Sequence, residues 1–236
     1  MRYPWSVRIP TGYNGYKKIA VKTSSADWIG SAEPIIILLS VHSAFHQGEK
    51  GALNIKTLIS TIQNHTSGLI TIVIAEGAHL NVSRLSCGND MQKALAMAAS
   101  DAHAFTQDFH EYLHGRRVVL WNDFVNKDPL YTQCAVDIQD LYETDQSFKD
   151  LLVSDAERTY TAARAEEFPD KQQYIRATIA DLLQQCIYLL ISAKKGYRFE
   201  FYAGKQYDCL YFVNSVLLPA QEQITLVNVN ISFEKR

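Results

Sequence analysis

Apolar residues along this chain gather into short unbroken runs, and between the runs they return every three or four positions. Ile35 to Leu39 are five consecutive branched apolar residues, held between Pro34 and Ser40. That pattern predicts a strand buried on both faces, as inside a parallel sheet. Similar runs follow at Leu69 to Ala75, ended by Glu76-Gly77, at Arg117 to Trp121, and at Arg198 to Tyr202, ended by Ala203-Gly204. Helical spacing begins near Glu49, with Leu53, Leu58, Ile59 and Ile62. It returns in Met91 to Leu113, with Gly115 as a C-terminal cap, in the polar stretch 130–165, in Asp170 to Ala193, and in 207–217. The Asp170 helix starts after Pro169 and stops at Lys194-Lys195-Gly196, a basic last turn and a glycine. Ala78 to Leu85 reads as a loop or helix start and Asn122 to Pro129 as a loop. Leu226 to Phe233 alternates apolar and polar, which predicts a last strand near a sheet edge. Lys17 to Lys22 alternates in part and reads as an edge strand, after a turn marked by Gly12, Asn14 and Gly15.

This order of strands and helices predicts an α/β fold: one domain over residues 1–236, with a mostly parallel sheet flanked by helices. Ligands of such sheets bind outside the carboxyl ends of the strands. The polar segment after the first buried strand is therefore where chemistry is expected, at Ser40, His42, Ser43 and His46. A histidine there would be a base for a serine, or only a polar loop residue.

Composition narrows the classes. A hydrophobic content of 47% and a charged content of 20% suit a folded chain, and a formal net charge of −2 gives no general attraction to nucleic acid. Cys87, Cys134, Cys186 and Cys209 lie far apart with no CxxC pair, so reduced thiols are expected. There is no GxxxxGK[ST], no GxGxxG after a strand and no GxSxG, which disfavours nucleotide triphosphatases, dinucleotide enzymes and α/β-hydrolases. His103, His110 and His114 would share one side of the long helix, a poor geometry for metal ligation, and no metal or other cofactor is expected. The N-terminal MRYPWSVRIP lacks an apolar signal core, and no run reaches the roughly 18 apolar residues that a membrane span requires, so a cytoplasmic location is expected.

Four segments in order resemble the tRNA-dependent cyclodipeptide synthases. They are I-L-L-S-V-H-S-A-F-H-Q-G-E-K around Ser40, the strand and polar turn Thr71 to Leu85, Trp121-Asn122-Asp123-Phe124, and Y-I-R-A-T-I-A from Tyr174 followed by G-Y-R-F-E-F-Y-A-G-K around Tyr202. The likeness runs from about residue 34 to the C-terminus, and its opening segment resembles the branch with a Tyr-Pro signature. The resemblance implies a Rossmann-like fold similar to the catalytic domains of class I aminoacyl-tRNA synthetases. It also implies that two aminoacyl-tRNAs are used in turn, through an aminoacyl ester on Ser40 and then a dipeptidyl enzyme, to give a diketopiperazine. It points to Ser40 rather than Ser43 as the nucleophile, with Ser43 and His42 near the substrate. Tyr174 would hold the substrate amino group, and Tyr202 would relay a proton.

The sequence also departs from that family. Where the family has a glutamate four residues after the helix tyrosine, this chain has Thr178, which offers neither charge nor a useful base. Asp181, seven residues after Tyr174, falls on the same helix face and is a candidate replacement, whereas Glu166 and Glu167 read as solvated. The Tyr-Pro pair is Tyr202-Ala203 here. Candidate tRNA contacts are Lys93, Arg116, Arg117 and Arg176, with Arg158, Arg164 and Lys171 as a looser basic set. Thr178 keeps two alternatives open: aminoacyl transfer to another acceptor, or a silent protein that binds aminoacyl-tRNA or a protein partner. The expected partner is aminoacyl-tRNA, with no membrane; oligomeric state is open, a monomer being the default.

Overall fold

The computed structural model describes residues 5–10, 16–41, 48–203 and 206–235; the expected turn at Gly12 to Gly15, and His42, Ser43, His46 and Gly204, lie outside them. The strands are β1 (Trp5–Pro10), β2 (Tyr16–Thr23), β3 (Ile35–Leu39), β4 (Ile70–Ile74), β5 (Arg117–Leu120), β6 (Phe199–Ala203) and β7 (Thr225–Lys235). The helices are α1 (Gly48–His65), α2 (Leu80–Ser86), α3 (Met91–Asp108), α4 (His110–Leu113), α5 (Tyr131–Thr144), α6 (Gln146–Thr159), α7 (Ala162–Glu167), α8 (Lys171–Lys194) and α9 (Asp208–Val216). No described helix is long and apolar enough to cross a membrane.

The strands form one seven-stranded sheet in the order β1-β2-β7-β6-β3-β4-β5. From β7 to β5 all neighbours are parallel, and β1 and β2 add an antiparallel extension. Alternate residues of the central strands enter two cores. Ile36, Leu38, Val73 and Ala75 face α8 and the helices around it. Ile35, Ile37, Leu39, Ile72 and Ile74 face Ile55, Leu58, Ile59 and Ile62 of α1 and Phe105 of α3. All of β3 is buried, and each such side chain taken from water contributes about 1.5–3 kcal/mol. Helix α8 packs against α2, α5, α6 and α9, which explains why its apolar residues surround the helix instead of forming a stripe.

Several expectations need correction. β7 lies between β2 and β6, not near an edge. Its first half pairs with β6 and is buried on both faces, whereas Asn230 to Phe233 pair with β2 and alternate. The alternation therefore records a half-covered face. β2 is likewise interior, because β1 covers it. The long helix breaks at Phe109 into α3 and α4, and the inward face of α3 is Ala94, Ala98, Ala102 and Phe105, leaving Leu95 exposed. Asn122–Asn126 is a π-helical turn, not a loop; its start is held by Glu76, whose carboxylate accepts from the backbone N–H of Trp121 (2.9 Å) and Asn122 (3.1 Å).

Gly68 sits where the loop before β4 passes Glu33. A Cβ there would strike the Glu33 carbonyl oxygen. Gly68→Ala is expected to cost about 1–3 kcal/mol and to lower Tm by about 5 °C, read by thermal unfolding.

Candidate active site

Strand order reverses beside β3: the chain runs on to β4 and β5 on one side and returns to β6 and β7 on the other. Such a reversal opens a crevice beyond the carboxyl ends of the two strands. Ser40 immediately follows β3, and Tyr202 lies on β6 level with Leu38. A cavity of about 600 Å³ occupies this place. Ser40 and Tyr202 line it from the sheet, Tyr174 and Thr178 from α8, and Arg164 and Glu167 from α7. Val82, Ser83 and Ser86 of α2, Met97 of α3, Thr159 at the end of α6, and His79 and Tyr207 complete the wall.

Tyr174 is 3% exposed, with its ring between Tyr160 and Phe168 at centroid distances of 5.2 and 5.4 Å. Its hydroxyl donates to Thr159 Oγ1 at 3.2 Å, and Thr159 donates onward to the Ala156 carbonyl at 2.7 Å. With its proton committed in that direction, the phenol oxygen of Tyr174 is left as an acceptor. Thr178 lies one turn further along α8, 6% exposed, with an Oγ1 that has no hydrogen-bond partner among the described residues. Ser40 is 4% exposed. Burial, and then the negative charge of Glu200, raise the Tyr202 phenol above its ordinary value. Burial raises the Tyr207 phenol still more.

Asp181 does not face this cavity. Its carboxylate accepts from Asn81 N (2.8 Å), Asn81 Nδ2 (2.9 Å) and Val82 N (3.0 Å), satisfying the opening turn of α2. Burial pushes it up to about 7 against the pull of those donors. The expected replacement for the missing glutamate is therefore a helix cap. Asp181→Leu should orphan these donors, cost about 3 kcal/mol and loosen α2, detectable as faster amide exchange at Asn81 and Val82.

The basic candidates divide. Lys93 stands one turn before Met97 on α3 and pairs with Asp90 at 3.6 Å. Arg116 and Arg117 sit at the amino end of β5, the opposite end of the sheet from the cavity, and Arg116 bonds Gln63. Arg176 is exposed, and two residues place it about 200° around α8 from Tyr174. Of these basic residues Arg164 lines the cavity; Arg158 pairs with Asp155 and Asp208, and Lys171 with Glu157. His103 lines a separate, largely apolar cavity of about 650 Å³ between α3 and β5, and the rings of His110 and His114 stand 5.3 Å apart beyond the helix break. Glu167 is exposed, as its reading as a solvated residue expects, and it also lines the cavity. Only the fold of the polar stretch 146–167 into α6 and α7 brings it there, and no periodicity in the sequence signals that turn.

No protein-family profile and no curated protein matches the chain. Solved structures do. A cyclodipeptide synthase from Fluoribacter dumoffii superposes with a TM-score of 0.76 at 17% identity, over 90% of this chain and 98% of that one. A cyclodipeptide synthase from Candidatus Glomeribacter gigasporarum, bound to Phe-tRNAPhe, gives 0.70 at 14% identity, over 86% and 89%. A Mycobacterium tuberculosis protein, whose structure relates the cyclodipeptide synthetases to type I tRNA synthetases, gives 0.60 at 10% identity, over 95% and 96%. The seven-stranded sheet, the reversal beside β3 and the helices on both faces are thus the fold of the cyclodipeptide synthases.

Proposed function

We propose that this chain is an aminoacyltransferase that joins two aminoacyl groups from aminoacyl-tRNA into a cyclic dipeptide, through an ester on Ser40. The observation that carries the reading is the position of Ser40: directly after β3, at the reversal of strand order, in one cavity with Tyr202, Tyr174 and Thr178. The Ser40 oxygen attacks the ester carbonyl carbon, the bond to the ribose oxygen breaks, and the serine proton goes to that ribose oxygen. The neutral amine of the bound aminoacyl group then attacks the ester carbonyl carbon of a second aminoacyl-tRNA, the bond to that ribose oxygen breaks, and the amine proton goes to the departing ribose oxygen, which leaves a dipeptidyl ester on Ser40. Attack of the terminal amine on that ester closes the ring and returns the proton to Ser40. Ester exchanges for ester in the first step, so the protein has to supply position and proton movement and no further activation. Tyr202, at the end of β6 beside Ser40, is the proton relay in this reading, and Tyr174 the acceptor for the substrate amine. Support for the substrate class comes from the fold relative bound to Phe-tRNAPhe.

Expression in a bacterial host followed by mass spectrometry of the medium should reveal a new diketopiperazine. Its absence, together with an aminoacyl adduct on the purified protein, would favour the second reading, transfer to another acceptor. Thr178, which provides no carboxylate beside Tyr174, is the residue that favours that alternative. Absence of product and adduct with every charged tRNA would overturn both.

A further inference from the structure

Resting on that reading, we propose that Glu167 is the anionic anchor for the α-ammonium group of the aminoacyl substrate, completing a three-acceptor site with Tyr174 and Thr178. An α-ammonium brings three N–H donors into the cavity, and burying it requires acceptors and a counter-charge. Two neutral acceptors are in place: the phenol oxygen of Tyr174, whose own proton is directed to Thr159, and the buried, unpartnered Oγ1 of Thr178. They stand one helical turn apart on α8. Neither carries charge. Among the described lining residues, the one carboxylate is Glu167.

Its location fits. Glu167 ends α7, and the next residue, Phe168, packs its ring on Tyr174 at 5.4 Å. The Glu167 carboxylate is held from two sides: Ser86 of α2 donates to Oε1 at 3.3 Å, and Arg164 pairs with Oε2 at 2.6 Å. A carboxylate has about four acceptor positions, so these two partners leave capacity for a third donor. The Arg164 pair is half-exposed, at 43% and 47%, and such pairs contribute little and exchange readily. An arriving ammonium need not displace Arg164: it can donate to an acceptor position that Ser86 and Arg164 leave open on the carboxylate. Asp181 cannot serve in its place while it caps α2.

The test compares each aminoacyl-tRNA with its N-acetylated form, which lacks the cation. The readout is the rate of adduct formation on Ser40 in single turnover. The wild type should prefer the free-amine substrate by about 10- to 100-fold, the range of a charge-assisted hydrogen bond. Glu167→Gln should reduce this preference nearly to unity by slowing the free-amine substrate alone, and Glu167→Asp should recover part of it. Thr178→Val should weaken the preference less, since it removes a neutral acceptor. A Glu167→Gln protein that retains the full preference would overturn the inference and leave the proposed function standing. A second measurement covers failed turnover: a non-hydrolysable 3′-aminoacylamido-adenosine should bind Glu167→Gln about 10-fold more weakly, and equal binding would overturn the inference. No adduct with any charged tRNA, and no binding of the analogue, would overturn the proposed function and this inference together.

Discussion

Ser40→Ala is expected to eliminate both the acyl adduct and the cyclic product, with a loss of at least about 1,000-fold in any residual transfer. The substitution removes one hydroxyl at the end of β3 and leaves the five-residue strand and its pairing with β4 and β6 unchanged. Ser40 is 4% exposed, so loss of its buried hydroxyl should cost about 1 kcal/mol and lower Tm by no more than about 5 °C, with the fold retained. Intact-mass spectrometry after mixing with charged tRNA gives the direct reading: an aminoacyl increment on wild type, none on the variant. Hydroxylamine should remove the increment, as it does for an ester. Ser83 and Ser86 present two further hydroxyls to the cavity from α2, and they provide the internal control. Ser83→Ala should keep the full adduct. An adduct that survives Ser40→Ala and disappears in Ser83→Ala would move the nucleophile to α2 and refute the role given to the strand-end serine.

What could be read from the sequence follows the range of the forces involved. β3 was legible because a strand buried on both faces admits only apolar side chains, and the break to Ser40 was as sharp as the fold makes it. Tyr174 and Tyr202 carried no signal of their own, since buried tyrosines are common, and only the likeness of whole segments singled them out. Asp181 shows the limit. Its spacing from Tyr174 put it on the right helix, but whether it met the cavity or α2 depended on a helix one hundred residues earlier in the chain. Glu167 is solvated as its surroundings in sequence suggest, but that it also lines the cavity depends on how α6 and α7 fold back. The alternation in β7 suggests an edge although the strand is interior, because alternation reports how many faces are covered, not how many neighbours a strand has. The break at Phe109 leaves no trace in the apolar spacing, since Phe105 and Phe109 pack edge to face across it at a centroid distance of 4.5 Å.

Acidifying the protein from pH 8 to about pH 5.5 should raise its stability, and Glu200 should account for much of the rise. Glu200 lies on β6 two residues before Tyr202, 1% exposed. Its Oε1 accepts from Gln206 Nε2 at 2.7 Å, Tyr188 faces it, and its Oε2 makes no hydrogen bond of normal geometry. Among the described residues no cation offsets its charge, and burial pushes the carboxyl up to about 7. The folded value stands above the unfolded one, near 4.5, so the native state binds more protons through the interval between them. Stability conferred by that proton is lost as pH rises from about 4.5 through 7, by about 3 kcal/mol for a full shift of this size. Asp181, raised in the same direction to about 7, adds to the slope. Glu200→Gln retains an acceptor for Gln206 and carries no charge. It should raise Tm by about 5–10 °C at pH 8 and leave it nearly unchanged at pH 5. A difference between variant and wild type that is equal at the two pH values would sink this account. Retention of a destabilising carboxyl has a structural counterpart: Gln206, which Glu200 holds, also donates its backbone N–H to Asn228 at 2.6 Å, and the next residue is Tyr207 in the cavity wall. Glu200→Ala, which removes the charge and the anchor together, should therefore match the thermal gain only in part. It should also slow adduct formation on Ser40, which Glu200→Gln should spare.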